Sequence, residues 1–345
     1  MREQDGYQRG LSVSVSHAAI HQEIGTSDEP VVRLPASAEW LSEATVAALC
    51  SHPQFAASVC GLVEKLTAGY AGNRLLNQVL SDRGRALLGL LVCYLDAQSS
   101  SLPGAGATLG SVQAICRVTK LCSPGRAAAI VVAMRFAGYV AAVPAGGRRS
   151  RLVPTEKLNA EHRRRWRLHY EAMLPVLPNA TRVLRNFDDK RFLDALLLEM
   201  GRQYLAGYRI LDYAPALSPI AESNAGLLMV SGLVTPSVVP ATEAASIPVS
   251  ISALSRRFSV ARSHVRKVLR MAEQAGLLTR AEDGASVLAL PALRDSVLRF
   301  FAVLFLLLDH CGAVAWTACA TAGGSPPCGE EPVLRHSARM TGGGA

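Results

Sequence analysis

The stretch ISALSRRFSVARSHVRKVLRMAEQAGLLTRAEDGASVLAL, residues 251–290, decides the fold. Its first part places apolar residues at i, i+3 and i+7, which indicates one buried face of a short helix. Val265, Leu269 and Ala272 mark the same kind of face on a second helix, and Gly276 supplies the left-handed residue that commonly ends a helix. Two short runs then flank the turn 281–285. The stretch therefore predicts helix, turn, helix and β-hairpin.

The second of these helices has a basic outer face. On a helical wheel, Ser263, Arg266, Lys267 and Arg270 lie opposite the apolar stripe. Cationic side chains on such a helix can contact base edges and phosphates in the major groove of DNA.

The same spacing occurs a second time in the chain. Ser123 and Gly138 are 15 residues apart, as are Ala261 and Gly276, and this predicts a degenerate internal repeat. Ser123 followed by Pro124 is a good helix start. The hairpin of this copy is predicted from residues 139–143 and 151–153, with its tip at 146–149.

Both copies resemble the winged helix-turn-helix domains of bacterial regulators of the MarR and GntR families. Residues 151–158, RLVPTEKL, are similar to the return strand and following helix start of MarR-like proteins. One departure is Ala261, where such domains often carry a Ser or Thr cap; Ser259 is the alternative cap. The predicted fold class is mainly α, with two winged helix-turn-helix units that carry small hairpin wings and are connected by helices.

The positive charge is concentrated on these two units. The chain carries a net charge of +9, and residues 111–170 hold 12 Lys or Arg against two acids, while residues 250–280 hold seven against one. Everything else is therefore net negative, as expected when a polyanion binds the two units. The predicted DNA-binding residues are Arg256, Arg257, Arg262, Ser263, His264, Arg266, Lys267, Arg270, Arg126, Arg148, Arg149 and Arg151.

The two units are not expected to bind DNA equally. In the first, Ala128, Ala129 and Val132 stand where the second has Arg266, Lys267 and Arg270. In the first unit, the helix that carries these three residues is expected to pack against another domain or a second subunit. The DNA contacts of this unit are then expected to come from Arg126 and the wing. The alternative is that its small residues approach the DNA backbone closely. The basic run 163–167 is either a solvated helix face or a phosphate contact.

Enzyme, metal and cofactor signatures are not found in the sequence. It contains no Walker loop, His-Glu-x-x-His or Gly-x-Ser-x-Gly motif, and its eight cysteines form no Cys-x-x-Cys pair. The cysteines, Cys116 and Cys122 included, are expected to be reduced structural thiols. We expect no enzyme activity, no metal and no cofactor.

The chain is expected to act in the cytoplasm, on the nucleoid. Its start lacks the basic and apolar regions of a signal peptide. The apolar run 297–308 is shorter than a bilayer requires and contains Arg299, so a buried or dimer-interface helix is expected there.

The predicted organisation has five parts. These are a disordered tail 1–35, helices with the first winged unit 36–158, connecting helices 159–218, the second winged unit with a C-terminal helix 219–310, and a disordered tail 321–345. Further predicted helices are 38–50, 53–66, 73–80, 83–98 (capped by Ser81), 188–208 and 219–233. A loop is predicted at 99–106 and another at 235–248.

The predicted function is sequence-specific binding of double-stranded DNA by a homodimeric bacterial transcription regulator. Plasmid replication initiators, which also carry paired winged helices, are one alternative. A winged-helix module that docks proteins is another. Neither a small-molecule effector nor the operator sequence can be read from the residues.

Overall fold

The computed structural model describes residues 39–71, 80–99, 106–145, 150–234, 243–281 and 286–322. These residues form a mainly helical fold with small antiparallel sheets, which confirms the predicted class at that level. The helices are α1 (Glu43–Cys50), α2 (Phe55–Tyr70), α3 (Arg83–Ser99), α4 (Leu109–Val118), α5 (Pro124–Phe136), α6 (Glu156–Met173), α7 (Asn179–Arg185), α8 (Lys190–Leu205), α9 (Ser218–Ala221), α10 (Gly226–Ser231), α11 (Ile251–Phe258), α12 (Arg262–Gln274) and α13 (Pro291–Ala322). The strands are β1 (Val140–Pro144), β2 (Ser150–Pro154), β3 (Ala245–Pro248), β4 (Leu278–Arg280) and β5 (Ser286–Ala289).

Helix α13 is the centre of the core. It packs against α8, α1 and α7, and its buried side chains, among them Val297, Phe301 and Phe305, lie on several sides of the helix. Most side chains of the run 297–308 are buried within the chain, as in a helix that lies in a protein interior.

The expectation about the length of this helix was wrong. Residues 291–321 are long and apolar enough to cross a membrane, by length and composition only, and half of the most apolar window is buried inside the protein. Core helices of soluble proteins meet the same criterion, so the helix does not decide where the protein acts.

The first helix–hairpin segment, residues 107–155, contains α4, α5, β1 and β2. The Thr108 side chain accepts the Ser111 amide and thereby caps α4. The Ser123 hydroxyl accepts the amide of Arg126 and Pro124 is the first helical residue, as predicted. β1 and β2 form an antiparallel hairpin, while its tip, 146–149, lies outside the described residues.

The second helix–hairpin segment, residues 245–290, contains α11, α12 and a three-stranded sheet in the order β3-β5-β4. The predicted loop 235–248 was wrong at its end, because residues 245–248 form β3 and pair with β5. Ser259 is left-handed, with φ 53°, and ends α11, so it cannot cap α12. Ala261 takes the capping position and its side chain makes no hydrogen bond there.

The two segments repeat one another in backbone geometry. Helices α5 and α12 each have 13 residues and are followed by left-handed Gly138 (φ 74°) and Gly276 (φ 70°). The Tyr139 amide then bonds to the Met134 carbonyl at 2.9 Å. In the second segment, the Leu277 amide bonds to the Ala272 carbonyl at 3.0 Å. Equivalent residues of α5 and α12 are thus 138 positions apart.

An extra pairing precedes the helices in both segments. In the first segment the amide of Leu152, on β2, donates to the carbonyl of Ala107 at 2.7 Å. In the second, β3 pairs with β5 in the corresponding place. The resemblance between the segments therefore extends beyond the spacing seen in the sequence.

Several predicted boundaries need correction. The helix predicted at 219–233 is interrupted at 222–225, where Ala225 is left-handed with φ 54°. Asp82 caps α3 by accepting the Arg85 amide, whereas Ser81 was predicted to do so. The helix predicted at 38–50 is divided by Ser42, which caps α1.

The remaining helix predictions at 53–66 and 188–208 correspond to α2 and α8. Most of the helix predicted at 73–80 lies outside the described residues, as do the tail 1–35 and residues 323–345. So does most of the loop 99–106.

The described residues share one apolar core. A continuous cluster of buried side chains extends from Leu41, just before α1, to Ala315 on α13 and includes both helix–hairpin segments. The predicted boundaries between parts of the chain, at 158/159 and 218/219, stay predictions.

Replacing Gly276 with Ala is expected to destabilise the protein by about 1–2 kcal/mol, because its backbone is left-handed. A Cβ at this position meets nothing within 4 Å, so the cost is conformational. Gly61, inside α2, also has open space around it, and Ala there should stabilise by roughly 0.5–1 kcal/mol. Urea unfolding measures the change in the free energy of unfolding for each variant. Changes of the same sign in the two variants would contradict the prediction.

Candidate nucleic-acid interface

The outer faces of α11 and α12 carry a dense group of exposed cations, the basic face. Arg256 and Arg257 lie in the last turn of α11. On α12 the exposed polar residues include Ser263 and four cations. The members of the basic face are Arg256, Arg257, Arg262, Arg266, Lys267 and Arg270. In the part of the chain that the structure describes, no acidic side chain pairs with any of them.

The opposite face of α12 fixes this presentation. Val265, Val268, Leu269 and Ala272 are buried, so the helix cannot rotate without exposing them. Arg266 also borders a groove of about 370 Å³ between α12 and its hairpin, together with Arg280. Arg280 itself forms an ion pair with Glu273 at 2.6 Å.

The arginine run of α6 is arranged differently. Arg164 pairs with Glu161 at 2.8 Å and Arg167 with Asp188 at 2.9 Å, while Arg163 pairs with Glu156. Arg165 lies over the ring of Tyr70. Three of the four arginines are thus paired with acids of the protein, which leaves the run with less unpaired charge for a phosphate than the basic face has.

His264 is half-buried and turned toward the protein, whereas Arg126 is exposed and forms ion pairs with other residues of the chain; both were predicted to contact DNA. Nε2 of His264 is 2.9 Å from the carbonyl oxygen of Asn224. Arg126 lies 3.5 Å from the carboxylate of Glu222 and 3.6 Å from that of Asp82. Each is the third residue of its helix, and the two positions are equivalent in the repeat.

The starts of α5 and α12 are therefore held by one short segment, the anchor, residues 222–225. Arg83 also pairs with Glu222, at 2.5 Å, and Arg85 donates to the Asn224 amide oxygen at 2.8 Å. The amide of Ala225 donates to the carbonyl of Ser81 at 2.8 Å. This cluster was not predicted from the sequence, because its members lie far apart along the chain.

The predicted wing arginines are only partly visible. Arg151 donates to the hydroxyl of Ser99 at 3.2 Å and is half-buried. Arg148 and Arg149 lie outside the described residues.

Helix α5 presents an exposed apolar surface where α12 presents cations. Its inner face buries Ala127, Ile130, Val131 and Met134. Its outer stripe consists of Gly125, Ala129, Val132 and Phe136, spaced i, i+4, i+7 and i+11. Val132 is 63 % exposed and Phe136 is 91 % exposed. The expected packing of this face against another domain is not found within the described residues.

The cysteines of the described residues are free thiols. Burial, together with the neighbouring Cys122, raises the pKa of Cys116 to about 12, and burial raises the pKa of Cys93 to about 12. Both therefore stay protonated and unreactive at neutral pH. Among the described residues, no three His, Cys, Asp or Glu side chains are grouped to hold a metal ion.

Comparison with models of protein families, with curated proteins and with solved structures finds no match to this chain.

Replacing Asp82 with Ala is expected to destabilise the protein by about 1–3 kcal/mol. The buried carboxylate caps α3 and neutralises Arg126, and both roles would be lost. Asp188→Ala is the matched control, since this exposed carboxylate pairs with Arg167 alone and should change stability by less than about 0.5 kcal/mol. Chemical denaturation compares them, and similar losses would argue against a special role for Asp82.

Proposed function

We propose that this chain binds double-stranded DNA and regulates bacterial transcription, with α12 as the helix that enters the major groove. The observation that carries the proposal is the basic face, whose six cations have no acidic partner among the described residues. Unpaired cations on one surface repel each other, and a polyanion relieves that repulsion.

The two helix–hairpin segments are proposed to be winged helix-turn-helix domains. Support comes from the order of two helices followed by a hairpin, and from the strand or bridge that precedes the helices in both segments. In such domains the second helix enters the major groove and the wing lies beside it. The exposed side of α12, opposite Val265 and Leu269, meets that requirement.

The proposal includes action on the nucleoid in the cytoplasm and no enzyme activity. A homodimer stays a prediction, because paired half-sites on DNA favour two-fold dimers, whereas the apolar residues of α13 are mostly buried within the chain. Mapping of bound sites in the genome separates regulator from replication initiator. Promoter sites support the former, and an array of repeats at one origin supports the latter.

Binding to duplex DNA should weaken steeply with salt. If the five cations of the basic face other than Arg266 contact phosphates, the slope of log K against log salt concentration is about −4.5. Replacing Lys267 and Arg270 with Ala should shallow it by about 2, because two counterions fewer are released. Arg167→Ala is the control, since Arg167 already pairs with Asp188.

Fluorescence anisotropy with a random-sequence duplex measures these slopes. Binding that ignores salt, or no binding at all, would refute the proposal and favour a module that docks proteins.

Arg266→Ala should reduce sequence discrimination. Arginine to guanine is the commonest specific contact in the major groove, so the change should cost about 1–3 kcal/mol at the preferred site and less on random DNA. The fold should survive because Arg266 is exposed and unpaired in the described structure. Selection from a random duplex pool checks this, and an unchanged preferred sequence with unchanged discrimination would show that Arg266 reads no base.

A further inference from the structure

The outer stripe of α5 occupies the place that the basic face occupies on α12. Ala129 is equivalent to Lys267 and Val132 to Arg270, each pair being 138 residues apart. Gly125 and Phe136 continue the stripe in the positions of Ser263 and Gln274. The same scaffold thus directs apolar side chains outward in one segment and cations in the other.

The surroundings of the stripe are positively charged. Residues 107–155 contain seven Lys or Arg and no Asp or Glu. Arg117, Lys120 and Arg135 are exposed, and none forms an ion pair within the described residues. A second copy of the chain that docked here by the same face would bring two cationic surfaces together without an acid from either segment. A polyanion instead complements this charge.

The acids nearest to the start of α5 do not oppose such a ligand. Asp82 is buried, and Glu222 is shared between Arg83 and Arg126. Arg85 also contacts Asp82, at 3.3 Å. At the start of α5, the charges of three arginines, 83, 85 and 126, therefore exceed those of the two carboxylates, 82 and 222.

The apolar groups that duplex DNA offers in the major groove are the methyl groups of thymine, and Ala and Phe side chains are among those that contact them. We infer that the outer stripe of α5 is a second major-groove contact that reads thymine methyl groups, beside the contact made by α12. This inference rests on the proposed function and gives it a substrate class, a duplex with a thymine-containing sub-site next to the sub-site read by the basic face.

Uracil in place of thymine tests the contact, because it removes the methyl group and keeps base pairing. The probes are duplexes that the full-length chain selects from a random pool, made once with thymine and once with uracil in each half of the site. Uracil should weaken binding by roughly fourfold for each contacted methyl group, in one half of the site only.

Val132→Ala provides the matched variant. It should lower the thymine-to-uracil ratio of affinities toward one, whereas Arg266→Ala should keep that ratio and lose discrimination elsewhere. Leu174→Ala changes another exposed apolar residue, outside both segments, and should alter neither. The coupling between Val132→Ala and uracil isolates the contact from any effect of uracil on DNA shape. Circular dichroism confirms that each variant is folded.

The failures of the two proposals are distinguishable. Salt-sensitive duplex binding with no difference between thymine and uracil would overturn the thymine contact and leave the proposed function in place. No duplex binding would overturn both. If Val132→Asp converts a dimer into a monomer by light scattering while the thymine-to-uracil ratio of the unaltered chain is one, the stripe is a contact between copies and the inference is wrong.

Discussion

The relation between the two helix–hairpin segments depends on one short stretch, the anchor at residues 222–225. It receives Arg126 from α5 and His264 from α12, at equivalent positions of the repeat, although the first contact is ionic and the second is a hydrogen bond to a carbonyl. Arg83 and Arg85, from α3, hold the same stretch from the other side. The starts of both helices are therefore fixed to a common body, and neither segment can reorient without breaking contacts with half-buried partners.

A shared scaffold with different outer faces explains how one chain combines two kinds of surface. The inner faces of α5 and α12 bury apolar residues, and both helices end at a left-handed glycine. The outward-facing residues differ in chemical type, with cations on α12 and small or apolar side chains on α5. Because burial determines the fold and exposure determines recognition, the two properties can vary independently in such a pair.

The sequence predicted what local patterns encode. Apolar periodicity located α12, Ser123 and Pro124 located the start of α5, and Gly276 located the end of α12. The sequence did not predict features that depend on contacts between distant parts of the chain. Ala225 is left-handed in a turn whose amide bonds to Ser81, and the direction of His264 depends on Asn224, 40 residues away. Strand β3 has only four residues and ends at Pro248, so its local pattern is too short to predict the pairing with β5.

Helix α13 joins regions of the chain that are made at very different times. Its Phe305 packs edge-on against Phe55 of α2, and its Arg299 pairs with Glu43 of α1, 256 residues earlier. A ribosome that adds residues in order releases α1 and α2 long before their partner exists. Their apolar faces must stay exposed during that interval, and closing so long a loop is slow. The interior can therefore close only after α13 has been synthesised.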